Sequence, residues 1–259
     1  MACGLWPMRM KLLTLARDLR RRKARERDSL FVAEGVRAVE ELLASALDVV
    51  GVLAAPKAAE SPRGAALLDL VRRQGRALSE VDEKEFRSAA ETESPQGVLA
   101  VARVPERSLD LLRGVTPLRM LVLDAVQDPG NVGTILRTAA ALGVQATVAL
   151  PGTVDVWNAK VVRSAMGAHF RHLAFHSTWD ALQAFLVNEQ VPLWAADTRG
   201  EPPTGAPPRL ALAVGNEGAG LSASVRQAAA RAVALPLAAG VESLNVAVAA
   251  GILLYELRP

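Results

Sequence analysis

The stretch Val214–Asn245 reads VGNEGAGLS, then an apolar run ending RAVALPL, then AAGVESLN. Its two glycine-bearing turns each close a strand, and the second leads straight into the last helix. Glycine has no Cβ, so backbone built from it can approach a ligand closely. The polar side chains Asn216, Glu217, Glu242, Ser243 and Asn245 crowd into the same few residues. A small-molecule site is expected here.

Outward from that stretch, strands and helices alternate from Arg119 onward. MLVLDAV is followed by the helix of NVGTILRTAAALG, ATVALP by a helix from Asp155 to about Met166, and HLAFH by TWDALQAFLVN. PLWAAD, the proline-rich loop EPPTGAPP, LALAVG, a helix from Ser222, AVALPL and a terminal helix complete the set. Apolar strands joined by helices form a parallel sheet covered on both faces. Ligands of such sheets bind beyond the carboxyl ends of the strands, where both glycine turns fall.

Upstream, residues 1–103 read as a small α/β domain: a basic helix over 8–28, a strand Leu30–Ala33, a helix with the stripe Val36, Val39, Leu42 and Leu43, and a strand Asp48–Ala54. A helix Ala65–Arg73, a short strand Ala77–Val81, a helix capped by Asp82 and a strand Gly97–Arg103 come next. VPERSLDLLRGVTPL, residues 104–118, holds two prolines and no sustained pattern, and is the linker to the second domain, 119–259.

With 51% apolar and 22% charged residues the chain is not a disordered one. Cys3 is its one cysteine, which excludes an internal disulfide and a cysteine-based zinc cluster. The start, MACGLWPMRMKLL, lacks the apolar core of a secretory signal, and Asp18, Glu26 and Asp28 speak against an organellar presequence. The longest apolar segment, Leu244–Leu254, falls short of the roughly 20 residues of a membrane helix. A soluble, cytoplasmic protein is expected.

Net charge is only +3, yet Arg17, Arg20, Arg21, Arg22, Lys23, Arg25 and Arg27 face only Asp18, Glu26 and Asp28 over the same segment. Such a cluster can neutralise nucleic-acid phosphates and release their counterions. A solvated helix face is the alternative.

In the helix after DPGN, Val132, Ile135, Leu136, Ala139 and Leu142 form the core stripe and leave Arg137 on the opposite side. Its neighbours there, Gly133, Thr134, Ala140 and Ala141, are small, so another surface is expected to pack on this face and hold Arg137 within the contact. Asn131 stands where an N-cap would be. Gly218, Gly220 and Ala223 fit the G-x-G-x-x-A dinucleotide fingerprint with Glu242 as acidic partner, but only one strand remains after it. No Walker A motif is present. His169, His172 and His176 span a helix end and a strand with no acidic residue among them, and no metal is expected. The last helix, Ser243–Leu257, is apolar on nearly every side through Leu244, Val246, Val248, Ile252, Leu253 and Leu254. It must be buried all round, with a second copy in a symmetric dimer covering part of it.

Three blocks therefore stand in order: N-x-G-x-x-x-R from Asn131 to Arg137, GNEGAGLS from Gly215 to Ser222, and LPLAAGVESLNVAVAAGILLYE from Leu235 to Glu256. Together they resemble the signature blocks of the SpoU/TrmH family of RNA ribose 2'-O-methyltransferases, within the SPOUT superfamily. FVAEGVRAVEELL and SPQGVLAVARV are similar to that family's RNA-binding extension, so the resemblance covers nearly the whole chain. It implies an α/β architecture: a C-terminal SPOUT-type parallel sheet with a deep trefoil knot, plus a small N-terminal α/β ribosomal-protein-like domain. It also implies a homodimer and S-adenosyl-L-methionine as cofactor.

Carried over by position, Gly215, Leu235, Leu244 and Asn245 would hold the cofactor. Glu217, Ser243 and Asn245 would surround the reacting groups together with Asn131, and Arg137 would be the catalytic arginine reaching the partner subunit's site. Guanidinium keeps its proton to above about pH 12, so Arg137 is read as a phosphate clamp and oxyanion stabiliser rather than a base. Arg20, Arg21, Arg22, Lys23 and Arg25 would contact RNA. Ribosomal RNA is the expected substrate, with transfer RNA, a non-catalytic RNA-binding relative and a nicotinamide dehydrogenase as the alternatives.

Overall fold

A computed structural model of the chain describes residues 5–258. Cys3 and the rest of the first four residues of the stretch read for a leader lie outside them. The chain forms two compact units: one runs to Pro105 and takes in Trp157–Phe170, and the other comprises Glu106–Val156 and the chain from Arg171 onward.

The first unit is built on a four-stranded sheet, β1 (Leu30–Glu34), β2 (Val49–Ala54), β3 (Leu78–Glu80) and β4 (Val98–Arg103), in the order β1-β4-β2-β3. Helices α1 (Leu5–Asp18), α2 (Arg22–Asp28), α3 (Val36–Leu43), α4 (Pro62–Arg73) and α5 (Glu83–Ala89) accompany it. Asp82 caps α5 in a reciprocal box with Glu85, as its place before that acidic turn predicts. The basic helix expected over 8–28 is instead two. The physical reason is Arg25, whose buried guanidinium donates to the carbonyls of Leu19 (2.8 Å) and Arg20 (3.0 Å), just beyond where α1 ends. Helix ends leave carbonyls without partners, and a cation there satisfies them. Strand β1 is buried along its whole length. Phe31 meets Trp157 at 4.5 Å and Phe170 at 5.9 Å between ring centroids, which is why the segment 157–170 belongs to this unit.

The second unit holds β5 (Leu118–Asp124), β6 (Ala146–Ala149), β7 (Leu173–His176), β8 (Leu193–Glu201), β9 (Arg209–Gly215) and β10 (Arg231–Val233), all parallel, in the order β10-β8-β9-β5-β6-β7. The helices are α6 (Pro129–Ala141), α7 (Ala159–Ser164, within the segment that joins the first unit), α8 (Trp179–Asn188), α9 (Ala223–Ala228) and α10 (Val246–Glu256). Every residue of β5 is buried, as an apolar strand covered on both faces requires. From β5 the chain first builds outward through β6 and β7 and then returns to the other side for β8, β9 and β10. The strand order therefore reverses between β5 and β9. Among the described residues no helix is long and apolar enough to cross a membrane.

The terminal helix leaves one side uncovered in the single chain. It packs on α6, where a Cβ added at Gly251 would lie 3.3 Å from Thr138 Cγ2, but Val248 (51%), Ile252 (40%) and Tyr255 (51%) stay exposed in the single chain. An all-apolar helix at a chain's end is covered on one side only by its own subunit.

His172 is buried and bonds Thr147 Oγ1 through Nε2 at 2.8 Å, while its carbonyl accepts from Arg107 at 2.7 Å. Burial first, and the Arg107 charge second, push its pKa from 6.5 down to about 4. Between those two values the unfolded chain takes up a proton that the folded chain refuses, so this contribution to stability is complete above pH 6.5 and lost as pH falls toward 4. The loss reaches about 3 kcal/mol. In urea titrations at about pH 7 and about pH 4.5, His172→Gln should lose less stability on acidification than the wild-type protein; an equal loss in both would refute this assignment.

Candidate functional site

A cavity of about 980 Å³ lies along the carboxyl half of β8 and beyond the carboxyl ends of β9 and β10. Its walls are residues 196–200, the turn 214–221, residues 233–237 and the chain 241–246 that enters α10.

The glycine turn is closed on itself. Asn216 and Gly220 exchange two backbone hydrogen bonds, of 3.0 and 2.9 Å, and Asn216 Oδ1 accepts the N–H groups of Gly218 and Ala219 at 2.9 Å each. Asn216 Nδ2 donates to the Ala125 carbonyl at 2.9 Å, and the buried Asp124 accepts the Ser222 N–H at 2.6 Å. These two bonds pin the turn to the end of β5. A Cβ at Gly215 would lie 2.3 Å from the carbonyl carbon of Gly220, so only glycine permits the closure. Helix α9, which the turn opens, has six residues, less than the full crossover helix of a dinucleotide fold, and the dinucleotide reading loses its support.

Asn131 is not the cap of α6. Asp128 is, accepting the Asn131 N–H at 2.7 Å with Pro129 in the first helical turn. The Asn131 side chain is therefore available for longer-range contacts, and it makes two. Its Nδ2 donates to Glu217 Oε1 at 2.9 Å, and its Oδ1 accepts from Asn245 Nδ2 at 3.0 Å. Asn245 in turn caps α10, its Oδ1 accepting from Ala247 N (2.9 Å) and Val248 N (3.3 Å). That cap dictates which end of each amide faces the next, so one chain of hydrogen bonds runs from α10 through α6 to Glu217.

Gly215, Glu217, Leu235, Ser243, Leu244 and Asn245 all line the cavity. Val241 (49% exposed) and Leu244 (37%) leave apolar surface open there. Arg137 is not part of the wall; it is exposed on α6. Thr134 and Ala141 are exposed on the same helix, while Gly133 is buried and α10 covers Thr138, so part of the small-residue face is occupied by the chain's own last helix.

The basic cluster divides. Arg20, Arg21, Arg22 and Lys23 are exposed, with Arg21 paired to Asp18 and Arg22 to Glu26 (2.6 Å), and Arg20 donating to the Ser88 carbonyl. Arg25 is buried at the end of α1, so it is a structural cap and not an RNA contact. The histidines separate too. His169 packs edge-on to Trp157 at 4.3 Å in the first unit, whereas His172 and His176 belong to the second, where His176 Nε2 accepts the Val156 N–H at 3.2 Å. Asp197, Arg199 and Arg226, also in the cavity wall, carried no motif signal. Asp124 stands out in the sequence as the one acid closing a strand that is apolar apart from Arg119.

Residues 119–255 match the model of the SpoU rRNA Methylase family, and residues 13–100 that of the MRM3-like substrate binding domain. The chain is 36% identical over 245 residues to the 23S rRNA (guanosine(2553)-2'-O)-methyltransferase RlmP of Bacillus subtilis, covering 93% of this chain and 94% of that protein. It is 30% identical to the 23S rRNA (guanosine-2'-O-)-methyltransferase RlmB of Haemophilus ducreyi, over 86% and 95% of the two chains. Among solved structures, the AdoMet-bound rRNA methyltransferase from Sinorhizobium meliloti superposes with a TM-score of 0.83 at 26% identity, over 95% and 94% of the chains. The SpoU methyltransferase AviRb of Streptomyces viridochromogenes in complex with AdoMet gives 0.84 at 26%, over 95% and 96%.

Two glycines of the one turn should respond differently to alanine. Gly215→Ala forces the closure open and should lower stability by about 1–3 kcal/mol, the usual range for overpacking. At Gly218 the nearest atom to an added Cβ is 3.7 Å away, so Gly218→Ala should change stability by less than about 0.5 kcal/mol. Urea midpoints that fall equally for both would contradict the closed turn.

Proposed function

Because the chain belongs to the SpoU rRNA methylase family, we propose that it transfers the methyl group of S-adenosylmethionine to the 2'-hydroxyl of a ribose in ribosomal RNA. The observation that carries this reading is the Asn131–Glu217–Asn245 hydrogen-bond chain, which joins three segments distant in sequence at one cavity.

The cavity fits the cofactor. Its volume is at the large end of ligand sites. Leu235, Val241 and Leu244 offer apolar surface for a flat heterocycle, and the Glu217 and Glu242 carboxylates suit a molecule carrying a sulfonium and an ammonium. Bound there, it supplies a methyl already activated for transfer. The chain's own residues must then orient the ribose hydroxyl and favour its alkoxide, and orientation can contribute roughly 7–11 kcal/mol in the best intramolecular cases. In this reading Glu217, Ser243 and Asn245 set the polar rim, Asn131 holds Glu217 and Asn245 in register, and Arg137 clamps an RNA phosphate and stabilises the developing oxyanion.

Arg137 lies outside the wall of its own chain's cavity, so the reading includes a symmetric dimer in which α6 and α10 meet their copies. Such a dimer covers Val248, Ile252 and Tyr255 and offers Arg137 to the partner's site. It also includes a threaded C-terminal segment, as the family resemblance implies. At Gly200, within β8, an added Cβ would sit 2.6 Å from backbone atoms of Ala232 and Val233, so β8 pairs with β10 there with no room for a side chain.

Mass spectrometry of ribose-methylated nucleosides should show one 2'-O-methyl mark in ribosomal RNA that disappears when the protein is removed; a mark missing from transfer RNA instead would overturn the substrate. Arg137→Lys should cut turnover by at least about tenfold with cofactor affinity retained, because lysine keeps the charge but loses the fork. Near wild-type turnover would end the clamp assignment. Replacing Arg20, Arg21, Arg22 and Lys23 by Gln should flatten the dependence of log affinity for RNA on log salt by up to about 0.9 for each phosphate no longer neutralised. An unchanged slope would return these residues to the role of a solvated face.

A further inference from the structure

Asp197 lies in the middle of β8 and lines the cavity wall, with its side chain only 12% exposed. Its Oδ1 accepts the backbone N–H of Arg199 at 3.0 Å and lies 3.3 Å from Arg199 Nε; its Oδ2 lies 3.3 Å from Arg199 Nη2 and 3.3 Å from Arg226 Nε. Three hydrogen bonds from Arg199 and the ion pair with Arg226 surround the carboxylate, so its oxygens are committed to holding these two arginines. The Arg199 side chain and backbone N–H hold its carboxyl below the usual carboxylate range despite burial. Arg226 stands on α9, across the cavity wall from β8. Its Nη2 donates to the Leu221 carbonyl at 3.3 Å and passes 3.6 Å from where a Cβ of Gly220 would be, so the guanidinium lies over the glycine turn.

We propose that Asp197 is a positioning residue whose ion pair with Arg226 latches the segment 196–200 to the turn 215–221 and holds these two walls at the spacing that S-adenosylmethionine requires. The latch rests on the cofactor proposed for this cavity and adds the device that shapes its pocket. The two segments are linked by no regular hydrogen-bond ladder at this level, since β8 and β9 pair only as far as Ala195 and Ala213. Beyond that pair, Arg226 is the bridge. Without it, 196–200 is held from the β10 side alone, where Glu201 pairs with Val233, and the bound state must restore its spacing from the turn at the expense of affinity.

Asp197→Asn is the discriminating variant, because its amide oxygen still accepts the Arg199 N–H and keeps the local turn while the ion pair is removed. Titration calorimetry with S-adenosylmethionine on the full chain should show the Kd raised about tenfold in Asp197→Asn and in Arg226→Ala, and no further in the double variant, as coupled neighbours behave. At saturating cofactor kcat should stay within about twofold of wild type, since the pair touches no reacting atom. Arg226→Lys, which keeps the charge, should recover part of the affinity. Three results would overturn the latch: unchanged Kd in either single variant, effects that multiply in the double variant, or a decrease confined to kcat. A wild-type chain that fails to bind S-adenosylmethionine would overturn the cofactor reading and the latch together, whereas wild-type binding with unaltered variants removes the latch alone.

Discussion

The side chain of Asn245 has two ends and uses both. Its oxygen satisfies the first N–H groups of α10, a cap that contributes about 1 kcal/mol by itself. Its nitrogen is thereby turned outward to Asn131, 114 residues away in sequence, and Asn131 passes the constraint on to Glu217, 86 residues from it. A capping residue is among the least mobile of polar groups, so the hydrogen-bond chain begins from a fixed point. Preorganised polar groups cost little reorganisation when charge develops beside them. Much of the geometry at the cavity mouth depends on this one amide.

The sheet determines where that chain of hydrogen bonds can exist. β5 is wholly buried and lies at the point where strand order reverses, next to β9, whose glycine turn forms one wall of the cavity. Asp124 and Ala125, at the end of β5, receive the Ser222 N–H and the Asn216 side chain, which binds the glycine turn to the most rigid strand of the unit. The opposite wall, 196–200, has left the pairing with β9 but stays against β10, to which Glu201 pairs at Val233. On the side of the glycine turn it is held by the Asp197 and Arg226 pair.

In the first unit the same charge type does two kinds of work. Arg25 and its neighbours Arg20–Lys23 are alike in sequence, but Arg25 turns inward because the carbonyls of Leu19 and Arg20, just past the end of α1, lie within reach of its guanidinium. The others remain at the surface, where ion pairs with Asp18 and Glu26 contribute little to stability. Trp157–Phe170 joins this unit for a different reason. Phe31 projects from a wholly buried strand, and the aromatic rings of Trp157 and Phe170 cover it.

The sequence by itself determined the features that local chemistry dictates: the parallel α/β character, legible in continuous apolar strands, the two glycine turns at strand ends, and the residues of the three blocks. These signals depend on side-chain period and on the absence of a Cβ, and neither needs a distant partner. Tertiary structure alone decided which polar group faces which. Asp128 and Asn131 both carry capping chemistry, and only the position of Glu217 and Asn245 shows that Asp128 caps and Asn131 bridges. Burial of Arg25, the packing of 157–170 on β1 and the ion pairing of Asp197 are equally invisible in sequence. Each is set by contacts between side chains brought together by the fold, whose energy depends on geometry that local periodicity does not contain.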